Sequence, residues 1–143
     1  MIASDRQQAT VDAILQALTG DQALATLVGQ RIFDAPPGRA VTPEITIKLV
    51  TAMDQSSADT DAQRLVFDLD IWDRYALGTD LSRPRIIMGH IRRILHLRAL
   101  TLVGANLVVL RCINAQGPFR DPDNVALHGI VTVSALAGHE TPS

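Results

Sequence analysis

The sequence predicts an α+β fold in which a mainly antiparallel sheet is flanked by two helices. Apolar residues recur at helical spacing in two separate stretches, residues 11–18 and 86–95. The extended segments mostly follow one another and do not alternate with helices, which is typical of this class. The 143 residues, 47% hydrophobic and 20% charged, suit one globular domain over the whole chain. Residues 1–4 and 138–143 have little to bury and are expected to fray.

The first helix is predicted to begin at Ser4 or Asp5, either of which can cap it, and to end at Gly20. A short helical turn follows from Asp21 to Gly29. A brief extended piece at 31–33 and a proline-containing turn at 34–38 complete the N-terminal part.

Pro43 is predicted to open a long strand, because a missing amide donor does least harm at a strand end. Alternate residues of this strand are predicted to share one face: Ile45, Ile47, Leu49 and Thr51. The polar, acidic stretch 54–61 is interpreted as a mobile loop that leads to an antiparallel neighbour.

The clearest strand spans residues 65–72, where one set of apolar residues alternates with Val66, Asp68, Asp70 and Trp72. Its core-facing side chains are predicted to be Leu65, Phe67, Leu69 and Ile71. A slip of one residue would bury Asp68 and Asp70, which carry charge and resist burial.

A second long helix is predicted after Asp80 or Ser82, with Pro84 in its first turn. Its apolar stripe is predicted to consist of Ile86, Ile87, His90, Ile91, Ile94 and Leu95. Three arginines lie off this stripe: Arg85, Arg92 and Arg93.

The C-terminal third is predicted to be extended. Two short segments, 100–102 and 107–113, are separated by a turn at Gly104-Ala105-Asn106. A turn-rich run at 116–124 then leads to a last strand at about 126–136.

Composition excludes several classes of function. The net charge of −2 gives no overall case for binding nucleic acid. Cys112 is the single cysteine, which excludes an internal disulfide and a multi-cysteine zinc site, and a buried, inert thiol is expected. No apolar run reaches the roughly 18 residues of a membrane span, and the N-terminus lacks a signal-peptide pattern. The chain is therefore expected to be made as a soluble cytoplasmic protein.

The strongest candidate for chemistry is the pair Asp68 and Asp70, which lie roughly 7 Å apart on one strand face. Two carboxylates at this spacing could act in acid–base catalysis or hold a cation. No nucleophile motif, phosphate-binding loop or metal-ligand spacing accompanies them. No catalytic residue, metal or cofactor is therefore assigned, and the pair is expected to face solvent or a neighbouring subunit.

The histidines are not spaced as zinc ligands, and His90 is expected to be partly buried and bonded to a backbone carbonyl. The arginine-rich helix could follow phosphates, but aromatic residues for base stacking make up only 3% of the chain. A solvated face or subunit contact is the preferred interpretation. Trp72, among outward-facing neighbours, indicates a surface patch covered by another helix or subunit.

Several segments, in this order, resemble the tail-completion or tail-terminator family of long-tailed bacteriophages, prophages and gene transfer agents. The segments are Leu24-x-x-Leu27-Val28-Gly29-x-Arg31-Ile32-Phe33, Pro43 with Ile45-Thr46-Ile47, the strand ending Ile71-Trp72, Ile91-Arg92-Arg93-Ile94-Leu95, and Phe119-Arg120-Asp121-Pro122-Asp123. The resemblance extends from about Val11 to Ala137.

The resemblance implies a small α+β subunit, without catalytic residues, of a homo-oligomeric ring of generally six copies. Such a ring caps the tail tube, stops its growth and joins the major tail tube protein to the head-tail connector, at the neck of a virion or phage-like particle made in a bacterial cytoplasm. DNA is expected to pass through the lumen without specific binding. The alternatives are a head-side connector or neck protein and, from another class, a small arginine-rich DNA-binding domain.

Two sets of contact residues are predicted for such a ring. The candidates at the subunit interface are Asp68, Asp70, Trp72, Arg85, Arg92 and Arg93. The candidates for contact with the tail tube lie in the acidic loop: Asp54, Gln55, Asp59 and Asp61.

Overall fold

The computed structural model describes residues 5–35, 41–74, 81–120 and 126–139. Its elements, in chain order, are α1 (Asp5–Thr19), α2 (Gln22–Val28), β1 (Ile32–Phe33), β2 (Glu44–Asp54), β3 (Ala62–Arg74), α3 (Ser82–Leu95), β4 (Ala105–Arg120) and β5 (Ala126–His139). The strands form one sheet in the order β1-β2-β3-β5-β4. Only β1 and β2 pair in parallel. The predicted α+β class with a mainly antiparallel sheet is confirmed.

The hydrophobic core lies between the helices and one face of the sheet. The four side chains predicted to face the core from β3 are fully buried: Leu65, Phe67, Leu69 and Ile71. They pack in one cluster with residues of all three helices. No helix among the described residues covers the opposite face of the sheet, which is called the helix-free face below.

The N-terminal helices agree with the sequence prediction. The Asp21 side chain caps α2 by accepting a hydrogen bond from the Leu24 amide at 3.0 Å. Gly29 ends that helix with a positive φ of 60°, a conformation that favours glycine.

The predicted face alternation of β2 fails after Leu49. A β-bulge at Val50 shifts the register, so that Leu49 pairs with Phe67 but Thr51 pairs with Val66. Thr51 therefore lies on the helix-free face, and not on the core face with Ile45 as predicted.

The C-terminal third differs most from the prediction. Residues 100–102 are not a strand, and one strand of 16 residues, β4, begins at Ala105. It continues through 116–120, where a turn was predicted, because β5 pairs with it across three register shifts. The rest of the predicted turn, residues 121–125, lies outside the described residues.

The predicted start and buried face of α3 need correction. Leu81 occupies the N-cap position without a side-chain hydrogen bond, so Ser82 is the first helical residue, and Asp80 lies outside the described residues. The buried residues are Pro84, Ile87, Met88, Ile91 and Leu95. Ile86, predicted to be buried, is 51% exposed.

Met88 enters the core because β5 carries glycine opposite it. A Cβ atom at Gly129 would lie 2.6 Å from the Met88 sulfur, so any other residue there would force the Met88 side chain to shift. The buried face of α3 is therefore set partly by a residue on another element.

The last strand, β5, extends beyond the predicted end at Leu136. Gly138 pairs with Asn106 and His139 with Ala105, so fraying does not begin at residue 138. Residues 1–4 and 140–143 lie outside the described residues.

Candidate assembly surfaces

The two carboxylates predicted to act together lie on the helix-free face and are each engaged by β5. Asp68 accepts a hydrogen bond from the Thr132 hydroxyl at 2.8 Å. Asp70 lies 2.8 Å from Nε2 of His128, and both of these side chains are largely buried, with 14% and 15% exposed. Each carboxylate is thus oriented by a cross-strand partner.

Trp72 belongs to an aromatic cluster on the same face. Its ring stacks on the His128 imidazole with centroids 3.8 Å apart and planes inclined by 7°. Phe119, from the edge strand β4, meets the other side of this pair, with its ring centroid 5.5 Å from that of His128. Phe119 remains 43% exposed. The cluster is therefore a built surface that ends in an accessible ring at the edge of the sheet.

The sequence analysis missed His128, Thr132 and Phe119. Only the pairing register could have indicated Phe119 and His128, because Trp72 of β3 pairs with His128 of β5, which pairs with Phe119 of β4. That register depends on bulges that the sequence pattern does not reveal.

The side chains of this face take part in hydrogen bonds and in packing. Within the described residues, no three His, Cys, Asp or Glu side chains are close enough together to hold a metal ion. The Asp68 and Asp70 partners are a hydroxyl and an imidazole, and both already engage a carboxylate oxygen. The arrangement is suited to contact with another surface.

The three predicted arginines of α3 are exposed on the opposite layer of the domain. Arg93 donates a hydrogen bond to the Asp21 carboxylate at 2.8 Å and thereby ties α3 to the cap of α2. The pKa of Asp21 is lowered from 3.8 to about 2, chiefly by this hydrogen bond from Arg93 and secondly by the one from the Leu24 amide. Arg85 and Arg92 form no ion pair with any residue that the structure describes, so their guanidinium groups face solvent.

His90 is half-buried, as predicted, but its partner is different. Its Nδ1 lies 3.0 Å from Nη2 of Arg93, in place of the predicted backbone carbonyl. His90 therefore supports the position of Arg93.

The acidic loop predicted to contact a tail tube forms the tip of the β2–β3 hairpin. All four predicted residues are exposed: Asp54, Gln55, Asp59 and Asp61. At the base of the loop, the Gln55 amide donates a hydrogen bond to the Ala62 carbonyl at 2.9 Å. At its turn, the Ser57 amide donates to the Thr60 carbonyl at 2.8 Å. The loop is thus bonded internally, and these four residues remain exposed at its tip.

The tip is also tied to α1 through a buried arginine that the sequence analysis missed. Arg6, only 4% exposed, donates to the carbonyl and to the carboxylate of Asp61, both at 3.2 Å. A charged side chain is this deeply buried only where it is paired. The hairpin is therefore anchored to the body of the domain.

The C-terminal end of β3 is fastened to the start of α3 by a second missed ion pair. Asp73 is 2% exposed and accepts two hydrogen bonds from the Arg83 guanidinium, at 2.7 and 2.5 Å. The pKa of Arg83 is raised above its ordinary value by these bonds. This pair fixes the direction in which α3 leaves the sheet.

Residues 12–138 match the family described as Tail completion protein gp17. The chain belongs to this family. No curated protein sequence matches it.

The tail-completion fold is also found in solved structures. A chain from "Virion of native gene transfer agent (GTA) particle" superposes with a TM-score of 0.83 at 21% identity, over 93% of this chain and 97% of that one. A second solved structure gives a TM-score of 0.63 at 9% identity, over 96% of this chain and 98% of the other. At these identities the likeness establishes the fold.

Family membership identifies this tail-completion protein as a structural component of a phage-type virion tail. The predicted resemblance is confirmed. The described part of the chain contains no helix that is both long and apolar enough to cross a membrane.

Proposed function

We propose that this tail-completion protein is the tail terminator, which forms a ring on the end of the tail tube, stops tube growth and provides the surface for joining the head. The observation that carries the proposal is the family match over residues 12–138. The similarity of fold to a chain of a gene transfer agent virion supports it. Six copies are proposed for the ring, and no catalysis is proposed for the protein.

The ring contact is proposed to join two unlike surfaces. Asp68, Asp70 and Trp72 lie on the helix-free face, whereas the α3 arginines lie on the opposite layer. A head-to-tail ring requires two complementary patches on each copy, and the placement of these residues on opposite layers supports the proposal. Arg85 and Arg92, which have no carboxylate partner among the described residues, are proposed to approach the acidic strand of the next copy. Arg93 is proposed to lie at the edge of the same subunit contact while it remains bonded to Asp21.

The β2–β3 hairpin is proposed to contact the major tail tube protein. Asp54, Gln55, Asp59 and Asp61 are exposed at its tip. The ion pair between buried Arg6 and exposed Asp61 holds the hairpin in place, which lowers the entropy lost on docking. The opposite end of the ring would then meet the head-tail connector.

The lumen is proposed to pass DNA without specific binding. The net charge of −2 gives little overall attraction for phosphate groups. The Trp72 ring is stacked on the His128 imidazole, which covers one of the ring faces on which a base could stack.

The central test is the length of tails made without the protein. Particles from a strain lacking its gene are examined by electron microscopy and compared with particles complemented by the wild type. Abnormally long tails without heads are expected, because nothing stops tube growth. Tails of normal length that lack heads would indicate a head-side connector, and fully normal particles would refute the assignment to a terminator.

Charge reversal tests the ring contact separately. The double variant Arg85→Glu/Arg92→Glu is expected to weaken ring assembly at least about tenfold, because like charges would face Asp68 and Asp70. Size-exclusion chromatography with light scattering measures assembly, with Arg98→Glu, an exposed arginine just after α3, as the control. Adding Asp68→Arg and Asp70→Arg to the double variant is expected to restore ring assembly, because opposite charges would face each other again. Unchanged assembly of the first variant would remove α3 from the contact.

A further inference from the structure

An open groove lies between α3 and the edge strand β4. It has a volume of about 290 Å³ and is lined by Met88, Gly89 and Arg92 from the helix and by residues 112–115 and Val131 from the strands. Its walls are largely apolar, and Arg92 stands at its rim. Such a groove is suited to an apolar anchor from another surface.

Gly89 has no role inside the described chain that explains it. A glycine in a helix interior destabilises the helix relative to alanine. Gly89 does not have a positive φ, and no atom of the structure lies within 4 Å of the place where its Cβ would be. Its missing side chain instead leaves the groove open, which allows close approach from outside the chain.

The β4 wall of the groove carries an apolar side chain turned outward by a bulge. Ile113 lies at the register shift between Cys112 and Asn114 and is 54% exposed. The exposed part of the Ile113 side chain would be removed from water only if another surface covered it. Gly89 and Ile113 thus lie on the two walls of one apolar groove.

A second copy of this chain provides an occupant of matching chemistry. Phe119 is the exposed aromatic residue among the large apolar side chains that the structure describes, and its ring is supported by His128. His128 in turn contacts the carboxylate of Asp70. An aromatic ring backed by a carboxylate complements an apolar groove lined by a guanidinium that has no carboxylate partner among the described residues, because a guanidinium is attracted to both.

We propose that the Phe119 ring of one copy inserts into the α3–β4 groove of the next copy, against Gly89 and beneath Arg92. Phe119 projects from the helix-free face and the groove opens beside α3, so a chain of such contacts is head-to-tail and can close into a ring. This inference rests on the proposed terminator ring and names its central anchor.

Disulfide trapping tests the contact directly. Gly89→Cys and Phe119→Cys are combined in a Cys112→Ser background, and purified rings or complemented particles are oxidised and run on a non-reducing gel. A ladder of cross-linked copies is expected. The control pair is Gly89→Cys with Val103→Cys, since Val103 is 80% exposed and belongs to neither surface. Intact rings without a ladder, or an equal ladder in the control pair, would overturn the inference.

Two single variants separate assembly from folding. Gly89→Leu is expected to fill the groove and reduce assembly by about 30-fold or more, while the monomer melts at the same or a higher temperature because a helical glycine is removed. Phe119→Ala is expected to weaken assembly to a similar extent, with Val103→Ala as the matched control. Rings of Gly89→Leu that assemble like the wild type would refute the groove contact and leave the terminator proposal standing. The terminator proposal fails on a different result, normal tails in the absence of the protein.

Discussion

Arg83→Ala is expected to destabilise the folded monomer by about 2 kcal/mol, because it strands a buried carboxylate. Asp73 is 2% exposed, and the substitution removes two of its hydrogen bonds, at 2.7 and 2.5 Å. The Arg74 amide, 2.7 Å from Asp73 Oδ1, remains as a donor. Breaking a buried ion pair costs about 3–5 kcal/mol, and a smaller loss of about 2 kcal/mol is expected here because Arg83 is 47% exposed and water can partly replace it.

Urea unfolding at pH 7, at concentrations where the protein is monomeric, measures this loss, which corresponds to a fall of about 8 °C in melting temperature for a domain of this size. Arg85→Ala is the matched control, two positions along the same helix, and is expected to change stability by less than about 0.5 kcal/mol. Arg83→Lys should give an intermediate loss, since lysine cannot form the two-point contact. If Arg83→Ala and Arg85→Ala prove equally stable, the pair does not fasten α3 to β3.

Two further changes test the packing of the helices. Asp21→Ala should cost about 1 kcal/mol at pH 7, because the cap of α2 is lost. The pKa of Asp21 is lowered to about 2 by Arg93, so this contribution is full above about pH 4, and the difference from the wild type should close as the pH falls to about 2. A difference independent of pH in urea titrations would contradict the ionic origin. Gly129→Ala should cost about 1–3 kcal/mol, since its Cβ would lie 2.6 Å from the Met88 sulfur. The added variant Met88→Ala should relieve the overlap, so that the two losses measured by thermal unfolding are less than additive, whereas strict additivity would show that the side chains do not meet.

The residues of β3 show what alternation in the sequence can predict. Leu65 and Phe67 are fully buried as expected, because Asp68 and Asp70 resist burial and leave one acceptable register. The same reasoning failed in β2, where a bulge at Val50 placed Thr51 on the other face. A bulge adds a residue without a distinctive local composition, so the pattern before it does not predict the pattern after it.

The candidate surfaces were predicted in part. The sequence placed the carboxylates of β3 and the arginines of α3 outside the core, and both sets lie there. It could not pair Asp70 with His128, which is 58 positions away, or Arg93 with Asp21, which is 72 positions away. Nothing local in the chain specifies such partners.

By itself, the sequence determined the fold class, the core side of β3 and the family, because these depend on local periodicity and on the order of short segments. The tertiary structure decided which carboxylates are engaged, which face of α3 is buried and where the groove beside Gly89 opens. Those features arise where residues distant in sequence meet, at Gly129 against Met88 and at the bulges of β4. Packing and strand register are properties of the assembled sheet, and no single segment encodes them.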